Sequence, residues 1–139
     1  MFAEGPAGGT IAPPEGPPPE LVGEDPATQY DQARKTTLDA YAQPGVIDGM
    51  VKGFGGEVPA FVVLGIAFCD QLIHGWDLAR ATGQDATMPA DLAALGRQLL
   101  DGRIAEDSRG SGKIFGPEVT VADVASDQDK LLAYCGRTP

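Results

Sequence analysis

The feature that most constrains the fold of this 139-residue chain is a long apolar segment from about residue 59 to residue 82. As a helix, this segment would carry large apolar side chains around most of its circumference: Phe61, Val62, Leu64, Ile66, Phe68, Leu72, Ile73, Trp76 and Leu78. A helix that is apolar nearly all round is usually central, because it needs neighbours on every side. The sequence therefore predicts that this helix lies at the core of a helical domain.

Three further helices are predicted around it. Capping residues and apolar spacing indicate a helix from Asp25 to about Gln43, a second from Pro89 to about Arg103, and a short one between Ser126 and Gly136. Residues 46–57 are predicted to form an irregular loop, with a short strand at Met50–Lys52 as the weaker alternative. The fold class expected from this pattern is all-α.

The first 24 residues differ in composition from the rest of the chain. They carry half of the prolines and five glycines, with few large apolar side chains. Runs of proline favour extended polyproline II conformation, and such segments bury too little apolar surface to fold. We therefore predict a Pro/Gly-rich flexible arm at 1–24 and one helical domain at 25–139.

The charge of the chain excludes one class of partner. A net charge of −10 argues against binding to nucleic acid, which needs a basic face, and it repels anionic membranes. The sequence shows no basic-then-apolar leader and no unbroken apolar run near 18 residues, so a cytoplasmic protein without a membrane span is expected. Two cysteines do not make a disulfide framework, and Cys69 is predicted to be a buried small hydrophobe.

The chemistry-bearing residues lie within the long helix, around the sole histidine of the chain. Asp70, His74 and Asp77 follow one another at helical spacing, so they share one face. Imidazole nitrogen and carboxylate oxygen are common zinc ligands, and a pair four residues apart can hold an ion from one rigid element. The alternative interpretation is an ordinary ion pair on a solvated helix edge. Asp77 and Arg80 are expected to form a surface pair.

The sequence resembles a known protein family at these same residues. The motifs are LGIA at 64–67, DQLIHGWDLARATGQ at 70–84, FGPEV at 115–119 and QDKLLAY at 128–134, followed by Gly136 and Arg137. They are similar to those of the actinobacterial metal-binding proteins described as mycothiol-dependent maleylpyruvate isomerase-like, within the DinB-like superfamily. The likeness covers about residues 22–139.

The resemblance implies an up-down four-helix bundle that holds a divalent ion, often zinc, between its helices. Its ligands are a histidine from an early helix together with an acidic residue and a histidine four apart, which correspond to Asp70 and His74. The family's chemistry implies mycothiol as thiol cosubstrate and a small electrophilic substrate. This sequence has no second histidine, and the arm stands where the first helix would be, so the chain looks like an amino-terminally shortened member.

Three functions are expected from these observations. The first is a divalent-metal-binding, DinB-like protein related to thiol-dependent isomerases and transferases, with an incomplete site of Asp70 and His74. The second is a non-catalytic binding or remnant protein that keeps the helical shape without metal, and a small helical interaction module is a weaker third. A homodimer is expected, with poor solubility as the alternative, because the apolar surface of the central helix needs more neighbouring helices than one chain supplies.

Overall fold

The computed structural model describes residues 3–11, 23–53 and 56–139. The chain divides into two compact units, Met1–Ala67 and Phe68–Pro139, and the division falls inside the long helix. Residues 1–2 and 12–22 of the predicted flexible arm lie outside the described residues.

The first unit contains a three-stranded sheet. Strand β1 is Thr10–Ile11, β2 is Met50–Gly53 and β3 is Gly56–Pro59. The order is β1-β2-β3, with β1 parallel to β2 and β2 antiparallel to β3. Val51 lies opposite Val58 in this register, and β-branched side chains pack well on a pleated surface.

The prediction of an all-α, up-down bundle is therefore wrong, because the chain combines helices with a mixed sheet. β2 matches the short strand at Met50–Lys52 that was the weaker alternative, whereas the prediction of an irregular loop over residues 46–57 is wrong, because strands of four residues give only a short alternating pattern. β1 is shorter still and lies within the Pro/Gly-rich arm. Its Ile11 is fully buried in the first unit, so two residues of that segment take part in the fold.

Two helices begin in the first unit. Helix α1 spans Pro26–Tyr41, and its cap is Asp25, whose side chain accepts a hydrogen bond from the Thr28 amide at 3.1 Å. Helix α2 spans Ala60–Thr82, which confirms the predicted long helix. The buried core of the first unit consists of Ile11, Tyr41, Val51, Ala60 and Val63.

The second unit packs the later part of α2 with two shorter helices. Helix α3 spans Ala90–Leu100, a 3₁₀ helix spans Glu106–Ser108, and helix α4 spans Asp127–Tyr134. The predicted Ser126 cap is confirmed, since its hydroxyl accepts from the Asp129 amide at 3.1 Å. The buried core of this unit consists of Cys69, Ile73, Met88, Ala93, Ile104, Leu131, Leu132 and Cys135.

Glycines end α2 and α4 in the same way. Gly83 and Gly136 have φ values of 69° and 79°, in the left-handed region that favours glycine. The amide after each one donates back across the last turn, Gln84 to the Ala79 carbonyl at 2.8 Å and Arg137 to the Leu132 carbonyl at 2.9 Å. The turn at Gly136 places the Arg137 side chain beside Asp77 of α2.

By length and composition alone, helix α2 is long and apolar enough to cross a membrane. It nevertheless carries Asp70, Asp77 and Arg80, and it buries Cys69 and Ile73 in the core of the second unit. One face of α2 thus packs into that core, but only 22% of its most apolar 18-residue stretch is buried, so the helix is not enclosed on every side as the sequence predicted.

Candidate functional site

The predicted site residues lie together on the part of α2 that belongs to the second unit. The spacing of Asp70, His74 and Asp77 places them on one face of the helix, as the sequence predicted. The His74 side chain is 61% exposed, so the imidazole faces solvent rather than a packed interior. The Asp70 and Asp77 side chains are 42% and 34% exposed. This is an open surface site.

The two nitrogens of the His74 ring face different carboxylates. Nδ1 lies 3.0 Å from Asp77 Oδ2, which is a hydrogen-bond distance. Nε2 lies 3.6 Å from Asp70 Oδ1, which is too long for a hydrogen bond. Because an ionised carboxylate can only accept, the neutral ring places its proton on Nδ1 and leaves a lone pair on Nε2.

Asp77 is held in turn by Arg137, which follows α4. The guanidinium donates from Nε to Oδ1 at 3.2 Å and from Nη2 to Oδ2 at 2.8 Å, a two-bonded geometry that fixes the carboxylate plane. The hydrogen bonds from Arg137 are the main cause that lowers the pKa of Asp77, and they raise the pKa of Arg137. Asp77 therefore stays ionised and can orient the imidazole.

The sequence did not identify Arg137 as a site residue. Asp77 was expected to pair with Arg80, but the Arg80 guanidinium instead lies over the Trp76 ring at 5.5 Å from its centroid. The only sequence signal for Arg137 was its place in the Gly136–Arg137 motif, 60 residues from Asp77.

The distance between Asp70 and His74 can be compared with that between two ligands of one divalent ion. Two ligands of a tetrahedral zinc ion with ordinary bond lengths lie roughly 3.3–3.6 Å apart. The observed 3.6 Å between Asp70 Oδ1 and His74 Nε2 matches this spacing. The hydrogen bond from Nδ1 to Asp77 is the arrangement that orients metal-binding histidines in general, and it leaves Nε2 available.

The ligand set is nevertheless incomplete within one chain. Among residues 3–11, 23–53 and 56–139, no group of three or more His, Cys, Asp or Glu side chains is placed to share an ion. Asp77 cannot be the third ligand in this arrangement, because it binds the other nitrogen of the ring. A bound ion therefore needs donors from water, a small molecule or another chain.

The two thiols do not supply those donors. Cys69 and Cys135 are 3% and 0% exposed in the core of the second unit. Burial raises the pKa of each thiol to about 11, so neither is a thiolate at neutral pH. The prediction that Cys69 is a buried hydrophobe is confirmed.

A cavity of about 560 Å³ also lies in the second unit, away from the histidine. It is lined by Arg97, Glu118, Lys130 and Tyr134, among others, and it includes neither Asp70 nor His74. Its mixture of cationic and anionic side chains has no link to the imidazole. The candidate site is therefore defined by the hydrogen-bonded set on α2 and not by an enclosed pocket.

Comparison with known proteins finds two relatives. They are uncharacterized proteins of Mycobacterium tuberculosis, MT0763 from strain CDC 1551 and Rv0738 from strain H37Rv. The chain is 34% identical to each over 109 residues, which make up 78% of this chain and 60% of either relative. It thus spans less than two thirds of their length, and neither name describes an activity. No protein-family model matches the chain, and no solved structure matches it significantly.

Proposed function

We propose that this protein binds a divalent metal ion, zinc in the first instance, through Asp70 and His74. The observation that supports the proposal is that the two nitrogens of the His74 imidazole have different partners. Nδ1 is hydrogen-bonded to Asp77, and Nε2 lies 3.6 Å from the Asp70 carboxylate. Exposed ion pairs of this kind contribute only about 0–1 kcal/mol, whereas a metal-binding histidine depends on the hydrogen bond at its other ring nitrogen.

Four residues of the chain have separate roles at this site. Asp70 and His74 hold the ion, Asp77 keeps the imidazole proton on Nδ1, and Arg137 keeps Asp77 ionised and in plane. A bound zinc ion supplies Lewis acidity, which deprotonates a thiol at neutral pH. The exposure of His74 leaves room for a second molecule beside the ion.

The sequence resemblance supports the chemistry proposed for this site. We propose a cytoplasmic relative of the mycothiol-dependent maleylpyruvate isomerase-like proteins, with mycothiol as thiol cosubstrate and a small electrophilic acceptor. The proposed reaction class is thiol-dependent isomerisation or group transfer. The likeness of motifs around Asp70 and His74 supports this assignment, and the all-α bundle that accompanied it is not part of the proposal.

A second candidate is a binding or remnant protein that holds no metal. Two observations favour it: the 61% exposure of the His74 side chain, and the lack of a third protein donor among the described residues. In this case Asp70, His74 and Asp77 form a surface charge network, and the helix face serves only for contact with other molecules.

Zinc titration separates the two candidates. The purified chain, stripped with chelator and freed of any polyhistidine tag, is titrated with zinc in a calorimeter. We expect saturable binding that is lost in His74→Ala and in Asp70→Asn. Asp101→Asn, which changes an exposed carboxylate at the end of α3, serves as the matched control and keeps wild-type binding.

Asp77→Asn tests the orienting role separately. Removing such a partner of a metal-binding histidine typically weakens the affinity for the ion about 10–100-fold. We expect this loss with the ligands still in place. Equal, unsaturable uptake of zinc by the wild type and His74→Ala would reject the metal proposal and leave the second candidate.

A further inference from the structure

The face of α2 that carries His74 is open along the second unit. Gln71, His74, Gly75 and Leu78 are all exposed, and Leu78 is 63% exposed although it is a large apolar residue. A Cβ built on Gly75 would meet nothing within 4 Å, so another helix could approach the backbone closely at this point. Only 22% of the most apolar 18-residue stretch of α2 is buried.

The same face carries two side chains of the kinds that bind zinc, Asp70 and His74. Structural zinc sites use four protein ligands in tetrahedral geometry, and one chain offers two. In a twofold dimer the same surface patch of both copies forms the interface, so each interface residue is present twice. Two copies paired along this face supply two imidazoles and two carboxylates, which is a complete set.

We infer that a divalent ion is held between two copies of this chain, each of which contributes Asp70 and His74. This inference rests on the proposed function and names the partner that completes its site. The occupant of the open face is thus a second copy, with Leu78 packing one turn beyond the histidine and Gly75 permitting close approach of the helices.

Charge makes the pairing dependent on the ion. Each copy has a net charge of −10, so two copies repel each other, and the two Asp70 carboxylates would meet at the contact. One divalent cation cancels the charge of those two carboxylates. Asp77 adds no further repulsion, because it is already neutralised by Arg137. The chain is therefore expected to be monomeric in chelator and dimeric with zinc.

Sedimentation velocity and native mass spectrometry of the full chain test the inference, with EDTA and with added zinc. We expect a doubling of mass with zinc, at one ion per two chains. Leu78→Glu keeps both ligands but places two more negative charges in the contact, and we expect it to raise the dimer dissociation constant about tenfold or more. Leu95→Glu, at an exposed apolar position on α3, is the matched control and should dimerise normally.

The outcomes separate this inference from the proposed function. One zinc ion per monomer, lost in His74→Ala, would overturn the shared site and leave the metal-binding function standing. A dimer that forms equally in EDTA would overturn the shared site as well. If the wild-type chain binds no zinc, the proposed function and the inference are both rejected. Circular dichroism of each variant verifies that it is folded.

Discussion

Substitution of Gly136 by alanine tests how the end of α4 positions the site. Gly136 has a φ of 79°, and a Cβ there would lie 2.7 Å from Gly116 Cα and 2.8 Å from its carbonyl carbon and oxygen. These neighbours are backbone atoms, so no side chain can rotate away to make room. The residue that follows is Arg137, whose guanidinium holds Asp77.

The magnitude follows from two contributions. A non-glycine residue in the left-handed region costs roughly 1–2 kcal/mol. Overpacking against backbone adds about 1–3 kcal/mol. We therefore expect Gly136→Ala to lower the free energy of unfolding by about 2–5 kcal/mol. Gly83→Ala is the matched control, because Gly83 ends α2 with a similar φ of 69° and the same type of hydrogen bond but has nothing within 4 Å. Its expected loss is only about 1–2 kcal/mol.

The assay is urea unfolding followed by tryptophan fluorescence. The chain has one tryptophan, Trp76, which packs against the core of the second unit and therefore reports on that unit. We expect a clearly larger fall in stability for Gly136→Ala than for Gly83→Ala. Equal losses in the two variants would refute the reasoning, because they would show that the close approach of Gly116 and Gly136 carries no energetic weight.

Two further predictions concern the titrating groups of the second unit. Because Arg137 lowers the pKa of Asp77 in the folded state, the pair stabilises the protein above the ordinary aspartate pKa of about 3.9, and this contribution is lost as the pH falls through the lowered value. The difference in urea midpoint between wild type and Asp77→Asn should be present at pH 7 and shrink below about pH 4, and a difference that is the same at pH 7 and pH 3 would contradict the pairing. Since burial raises the pKa of Cys69 and Cys135 to about 11, a thiol reagent at pH 8 should label neither thiol in the native protein and both in urea. Rapid labelling of either cysteine without denaturant would show that the core of this unit is open.

The helices could be predicted from sequence because their signals are local. Asp25, Ser126 and Gly83 act on backbone groups within a few residues, and each behaves in the structure as its residue type suggests. The apolar segment that forms α2 is also longer than a typical β-strand, so its length alone indicates a helix. These features do not depend on what the rest of the chain does.

The short strand at Met50–Lys52 was the weaker alternative from sequence, but the pairing of the sheet and the partners of the site could not be predicted because they depend on distant contacts. Ile11 is buried by pairing with a strand about 40 residues later, and nothing in its own neighbourhood indicates this. Arg137 reaches Asp77 across 60 residues, whereas the spacing rule pointed to Arg80, which lies three residues after Asp77 in the same helix. Asp70 and His74 were found because their relation is local to one helix.

The most direct measurement of the central claim is nitrogen NMR of the imidazole. His74 is the sole histidine, so its two ring nitrogens give unambiguous signals in a long-range proton–nitrogen spectrum. Under alkaline conditions that leave the ring neutral, we predict a proton on Nδ1 and a bare Nε2, and added zinc should shift Nε2 while Nδ1 keeps its proton. A proton on Nε2, or a spectrum that zinc leaves unchanged, would contradict the claim that Asp70 and His74 form a metal site.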